Sequence, residues 1–182
     1  MWHSYNLDIL KPYVRLVALP DWQVAKAQKF TDEVILEKLK EKGHKKDHSK
    51  EAKRWFTGRL GEMAVERVLS KKFCDWSIGQ SQKYDEPDLL PLGYKVGIKT
   101  VEFGKYPVIF KKSKYPEIIC ILLAENLVAV CGLADVETLT KYQDIELIES
   151  PLLKEKGTKT GFYGFKDLKP LDLSALEKYK IN

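Results

Sequence analysis

Residues 84–102 read YDEPDLLPLGYKVGIKTVE, and this pattern predicts a tight β-hairpin around which the rest of the chain is arranged. Residues 89–92 form a short apolar run, Gly93 lies where the chain must turn, and residues 94–101 alternate as the returning strand. A glycine between two apolar runs is a common hairpin signal. The stretch therefore predicts two neighbouring strands of one sheet.

The alternation in the returning strand predicts which side chains share a face. Successive strand residues point to opposite faces, so Val96 and Ile98 are expected in the core and Lys99 on the other face. Asp88, at the start of the first strand, would then lie near Lys99 in its neighbour. An acid beside a lysine predicts a metal-and-lysine site suited to phosphodiester chemistry.

The composition indicates one globular domain, or one domain with a short extension. The chain has 182 residues, of which 44% are hydrophobic, and this is enough for a substantial core. The net charge of +5 is compatible with binding nucleic acid but does not require it. Cys74, Cys120 and Cys131 lack CxxC spacing, so we expect reduced core thiols and no zinc site.

The sequence predicts neither a signal peptide nor a membrane span. Charged residues interrupt the N-terminal apolar positions, and the longest apolar stretch, residues 118–130, is broken by Glu125 and Asn126. We therefore expect a cytoplasmic protein, located in the host cytoplasm if the chain is viral.

Two helices are predicted before the hairpin. The first covers residues 21–42 and ends at Gly43, a residue that often follows a helix. The second covers about residues 49–71, with an apolar side chain at every fourth position from Phe56 to Val68. Each helix is therefore expected to have one apolar stripe, and that of the first helix consists of Val24, Phe30, Val34, Ile35 and Leu39.

Two glycines, Gly58 and Gly61, lie inside the second predicted helix. Glycine in a helix interior costs up to about 1 kcal/mol relative to alanine, so the pair predicts close packing on a sheet or a nearby ligand. Glu62 lies off the apolar stripe, on the side that the glycines leave open. From its helical position alone, Glu62 is an ordinary exposed glutamate.

The remainder of the chain predicts more strands and short helices. Residues 118–124 and 127–133 are apolar runs joined by a turn, and the first is apolar enough to be buried on both faces. Another predicted strand is residues 73–78, with an edge strand at 162–165; other predicted helices are residues 134–142 and 173–180. This order indicates an α/β fold, a mixed β-sheet flanked by helices with an N-terminal helical extension.

Three motifs in this order resemble those of the PD-(D/E)XK nuclease superfamily, which has the restriction-endonuclease-like fold. GRLGE, ending at Glu62, is similar to the family's helical G-x-x-G-E context. Pro87-Asp88 resembles its Pro-Asp pair, and VGIKT resembles the strand that carries its lysine, here Lys99. The resemblance covers about residues 50–175 and is closest to phage and prokaryotic members.

The resemblance implies a nuclease, an endonuclease or exonuclease, that uses Mg²⁺ or Mn²⁺ to hydrolyse phosphodiester bonds in DNA. Asp88 would be the central metal ligand, and Glu62 would bind a second metal or orient the attacking water. Lys99 would position or deprotonate that water, or bind the scissile phosphate. The backbone carbonyl of Ile98 is expected as a further, neutral metal ligand.

One position departs from the family pattern. The acid expected two residues before the lysine is replaced by Gly97. Glu102 cannot substitute for it without a bulge, because alternation points Glu102 to the face opposite Lys99. The candidates to supply the missing carboxylate are Asp85, Glu86 and Glu66. Alternatively, the fold has lost its activity.

The resemblance divides the chain into an N-terminal arm and helix, residues 1–48, and a nuclease-like domain, residues 49–182. Two clusters of lysines are expected to contact DNA phosphates, namely Lys45 and Lys46, and Lys111, Lys112 and Lys114. Two alternatives stay open: an inactive nuclease-fold protein that binds DNA, or one that binds another protein. A homodimer is also left open.

Overall fold

The computed structural model describes residues 11–40, 48–79 and 86–181. The strands are β1 (Arg15–Ala18), β2 (Gly97–Glu102), β3 (Val108–Phe110), β4 (Glu117–Ala124), β5 (Leu127–Ala134), β6 (Gln143–Asp144) and β7 (Lys159–Phe162). The α-helices are α1 (Asp21–Leu39), α2 (His48–Leu69), α3 (Val136–Lys141), α4 (Pro151–Lys156) and α5 (Leu173–Leu176). This mixture confirms the predicted α/β class.

The main sheet has four strands in the order β1-β5-β4-β2. The apolar runs that predicted a strand pair form β4 and β5, which are antiparallel, and β1 adds antiparallel to β5. β2 pairs parallel with β4 and forms the other edge of this sheet. The edge of β2 that faces away from β4 is therefore available to the segment that precedes it in the chain.

The second sheet has three antiparallel strands in the order β3-β7-β6. The predicted edge strand at residues 162–165 is wrong, because β7 ends at Phe162 and is the central strand of this sheet. The fully buried ring of Phe162 anchors the strand. The chain then turns at Gly164 into a 3-10 helix, Phe165–Asp167.

The two faces of the main sheet contribute to separate apolar clusters. Along β4, Ile118 and Cys120 contribute to the cluster that includes α2, whereas Ile119 and Ile121 contribute to the cluster that includes β7. The alternation predicted for β2 holds, since Val96 and Ile98 are buried in the α2 cluster. Both faces of β4 are covered, as its continuous apolar sequence predicts.

The helices agree with the predictions more closely than the strands do. α1 and α2 lie within two or three residues of their predicted ends, and α3 and α5 lie in the regions predicted to be helical. One position of the α1 stripe differs, because Leu39 is 51% exposed while Lys38 is buried. None of the described helices is both long enough and apolar enough to cross a bilayer.

The first strand of the predicted hairpin is wrong. Leu90–Leu92 form a 3-10 helix, and Gly93 ends it with a left-handed φ of 84°. Pro91 has no N–H for a strand ladder, while Leu89 is fully buried and donates its N–H to the Val96 carbonyl at 3.0 Å. The segment is therefore a compact turn fastened to the free edge of the β2 segment.

The predicted strand at residues 73–78 is also wrong, because this segment is irregular backbone. The buried carboxylate of Glu66 accepts the N–H groups of Phe73 at 2.7 Å and Cys74 at 2.9 Å. Those donors are then not available to a strand ladder. Glu66 therefore determines the path of the backbone that follows the C-terminal end of α2.

Candidate active site

Gly61 determines how closely α2 approaches β2. A Cβ atom at position 61 would lie 2.7 Å from Thr100 Cβ and would overlap the Thr100 hydroxyl. The prediction of close packing on a sheet is therefore confirmed for Gly61. It is wrong for Gly58, which faces open space. The contact at Gly61 places the next residue, Glu62, beside the β2 edge.

Asp88 is held at that same edge by the backbone. Its Oδ2 accepts the N–H of Ile98 at 2.6 Å, so the side chain replaces a neighbouring strand at this point. The N–H and C=O of one strand residue point to the same side. The carbonyl of Ile98 therefore also faces the free edge, where it was predicted to act as a ligand.

Lys99 points to the opposite side from α2 and meets an acid that the sequence did not identify. Its Nζ lies 3.7 Å from Oε1 of Glu117, at the start of β4. The Glu117 side chain is only 3% exposed and that of Lys99 is 31% exposed. Glu117 Oε2 is buried and has no hydrogen-bond partner among the described residues.

Glu117 occupies the space that Gly97 leaves. The two residues are directly paired in the parallel ladder of β2 and β4. A Cβ atom at position 97 would lie 2.9 Å from Glu117 Cδ and would overlap Oε2. The neighbouring strand thus brings a buried carboxylate beside the position two residues before the lysine, and a side chain at 97 would displace it.

The other candidates to supply this carboxylate are less suitable. Glu66 is already engaged by backbone N–H groups and by Lys72 at 3.0 Å. Glu86 is exposed, Glu102 pairs with Lys53 at 2.6 Å, and Asp85 lies outside the described residues. One sequence signal could have revealed Glu117: it is an acid that opens a strand apolar enough to be buried on both faces.

Arg59 is a further residue of the site that the sequence prediction did not assign. Its side chain is 5% exposed, and its guanidinium donates from Nη1 to Glu62 Oε2 at 2.6 Å. The same group lies 4.2 Å from the Phe30 ring centroid and 5.0 Å from that of Trp76. These rings hold Arg59 in place, and Arg59 in turn orients Glu62.

The carboxyl groups of the site have pKa values above those of ordinary acids. Burial raises the pKa of Glu62 to about 8, against the effect of Arg59, and the nearby Asp88 adds to the rise. Burial raises the pKa of Glu117 to about 7, against the effect of Lys99. Burial also raises the pKa of Asp88, opposed by Lys99 and by the Ile98 N–H. A bound cation would relieve this crowding of buried acids.

A cleft with a volume of about 370 Å³ opens beside Glu62 and Asp88. Lys99 and Glu117 are not among its lining residues, so they lie on the far side of Asp88. The prediction that Asp88 and Lys99 lie on adjacent strands is wrong, because Asp88 belongs to the turn at the β2 edge. Asp88 instead lies between Glu62 on one side and Lys99 and Glu117 on the other.

The donor set fits a hard divalent cation in part. Within the described ranges, no three His, Cys, Asp or Glu side chains form a ready-made metal cluster. Mg²⁺ does not require one, since it keeps several waters and binds through one or two carboxylates and substrate oxygens. Asp88, the unpartnered Oε2 of Glu117 and the carbonyl of Ile98 are donors of that type.

The lysines expected to contact DNA are only partly described. Lys111, Lys112 and Lys114 are exposed and lie between β3 and β4, and Lys114 comes three residues before Glu117. Lys45 and Lys46 lie outside the described residues. The cluster of Lys111, Lys112 and Lys114 is therefore close in sequence to Glu117 of the candidate site.

No family model, curated protein or solved structure matches this chain. The resemblance to the PD-(D/E)XK superfamily therefore depends on the three short motifs and on the geometry of their side chains.

Proposed function

We propose that the protein is a metal-dependent nuclease of the PD-(D/E)XK type that hydrolyses phosphodiester bonds in DNA. The observation that supports it most is the pairing of Gly97 with Glu117. This pairing brings a buried carboxylate beside the position at which the motif lacks its acid. Glu62 and Asp88 then lie beside the free edge of β2, and Lys99 and Glu117 lie on the other side of Asp88. The proximity of Asp88 to Glu62, to Glu117 and to Lys99 supports the proposal.

Each residue of the candidate site has a specific role in this proposal. Asp88 and Glu117 would hold a Mg²⁺ or Mn²⁺ ion with the Ile98 carbonyl, and Glu62 would orient the attacking water. When bound, the ion neutralises the phosphate and lowers the pKa of a water molecule. Lys99, whose Nζ lies 3.7 Å from Glu117 Oε1, would receive or give a proton at Nζ, or bind the scissile phosphate.

The test is cleavage of plasmid DNA in Mn²⁺ or Mg²⁺ by the wild type and by Asp88→Asn. Asparagine keeps an oxygen that can accept the Ile98 N–H, so the turn should stay in place while the ligand charge is lost. We expect Asp88→Asn to fold and to lose cleavage. Lys99→Ala should cut the rate by about 100-fold or more, as for other positioned acid–base groups.

Cleavage that persists unchanged in Asp88→Asn, or in EDTA, would refute the proposal. The non-catalytic alternative is supported by the internal pairing of the acids, because Arg59 compensates Glu62 and Lys99 compensates Glu117. DNA binding without cleavage in any metal would favour this second function.

A further inference from the structure

The cleft beside Glu62 and Asp88 has an apolar wall that the metal chemistry does not use. The apolar residues that line it together with the carboxylates are Trp55, Phe73, Pro87, Leu90 and Pro91. Its volume of about 370 Å³ is within the range of about 300–1,000 Å³ that is usual for small-ligand sites. A group with flat apolar faces, of the size of one nucleotide, fits this description.

The charges that line the cleft disfavour a phosphate in it. Four carboxylate residues, Glu62, Asp75, Glu86 and Asp88, line the cleft against one guanidinium. Arg59 already donates to Glu62 at 2.6 Å, so its charge is largely compensated. A nucleobase carries no net charge, and it can occupy such a cleft while its phosphate lies outside the cleft, at the metal that Asp88 would hold.

Two features of the cleft are suited to a base. The half-buried Trp55 ring has Lys38 Nζ 5.1 Å from its centroid, and Lys38 is held by Glu51 at 3.3 Å. The ring is therefore positioned before a ligand arrives, which reduces the entropy lost on binding. The second feature is the apolar lining, to which Phe73 and Leu90 contribute.

We propose that this cleft binds one unpaired nucleobase, stacked on Trp55, and that the preferred substrate has an unpaired nucleotide beside the bond that is cut. The inference rests on the proposed function, since it names the substrate of the same site. A paired base is covered on both faces and costs a few kcal/mol to extrude, whereas an unpaired base is free to enter. Single strands, flaps and frayed ends meet this condition.

The experiment compares two duplexes with the same one-nucleotide overhang, one with a thymine base and one abasic. Their phosphates are equal in number, so a difference in binding reports the base alone. Affinity is measured by fluorescence anisotropy in EDTA, which makes the result independent of cleavage. We expect the thymine overhang to bind about 5- to 150-fold more tightly, the equivalent of about 1–3 kcal/mol for one stacked base.

Trp55→Leu should remove this difference, and Trp55→Phe should keep part of it. Trp22→Leu is the matched control, because Trp22 is 65% exposed on α1 and does not line the cleft. A uridine overhang, tested in parallel, shows whether RNA is taken equally well. Equal binding of the thymine and abasic overhangs by the wild type overturns the proposal, even where Trp55→Leu fails to fold.

The two proposals fail in different ways. Cleavage of plasmid without a preference for the overhang base would leave the nuclease proposal and remove this one. A preference for the base without cleavage in any metal would leave this one and remove the nuclease proposal.

Discussion

Glu117 and Gly97 occupy paired positions on β4 and β2, and a side chain at position 97 would displace the Glu117 carboxylate. Gly97→Asp should therefore push against Glu117 and reduce Mn²⁺ affinity and cleavage by about 10-fold or more, since overpacking a buried site costs about 1–3 kcal/mol. The double variant Gly97→Asp with Glu117→Ala should recover part of both. Calorimetric titration of Mn²⁺ and plasmid cleavage measure the two effects.

Gly58→Ala is the matched glycine control for that series, because position 58 faces open space. If Gly97→Asp alone binds Mn²⁺ more tightly than the wild type, then Gly97 marks a lost ligand, and Glu117 does not replace it.

The raised pKa of Glu117 has a consequence for stability. Its pKa rises from 4.5 to about 7 on folding, so the folded state binds an extra proton between these values and loses stability as the pH rises through them. Glu117→Gln removes this effect. In EDTA at pH 8 the variant should melt about 3 °C or more above the wild type, since one pKa unit corresponds to about 1.4 kcal/mol and each kcal/mol to about 2–4 °C.

At pH 4 the same variant should melt within about 1 °C of the wild type, because Glu117 is then mostly protonated in both the folded and the unfolded state. Thermal unfolding followed by circular dichroism gives both values. An equal gain at the two pH values would mean that packing, not charge, accounts for the effect.

At the scale of elements, the contact between α2 and β2 positions Glu62. Gly61→Ala should lower the melting temperature by about 4 °C or more, because the added methyl group overlaps Thr100 and overpacking costs about 1–3 kcal/mol. It should also reduce cleavage, since Glu62 moves with the helix. Gly58→Ala should instead raise the melting temperature by about 1–4 °C, as alanine is favoured in helix interiors.

Differential scanning calorimetry of the two variants checks this pair of opposite shifts. A Gly61→Ala variant as stable as the wild type would show that the helix can move away from β2 without cost.

The elements that could be predicted are those with a strong period and few competing contacts. α1, α2, β4 and β5 have such patterns over at least eight residues. The first strand of the hairpin could not be predicted reliably, because Pro91 and the burial of Leu89 override its apolar pattern. Glu117 was missed for a related reason, since the register that pairs it with Gly97 is a long-range property that a local motif does not contain.

At the scale of the whole molecule, binding of DNA should depend on salt. Lys111, Lys112 and Lys114 are exposed close to the site in sequence. Replacing all three by alanine should weaken duplex binding at low salt and reduce the slope of log K against log salt concentration by about 2–3, because each phosphate contact contributes about 0.9. Anisotropy titrations between about 50 and 200 mM salt measure this slope.

The control replaces Lys29, Lys40 and Lys178, which are also exposed and change the net charge equally. A similar loss in both triple variants would indicate a general charge effect, and the cluster beside β4 would lose its assigned role.

The overlap between positions 97 and 117 limits how this site can change over evolutionary time. If an acid is gained at position 97 while Glu117 is present, its side chain enters an occupied space. If the acid at position 117 is lost first, the site has one negative charge too few. Either single step is disfavoured, so the two positions should substitute as a pair. Related chains should therefore carry an acid at 97 with a small residue at 117, or the reverse, and a motif read along one strand will recognise only the first kind.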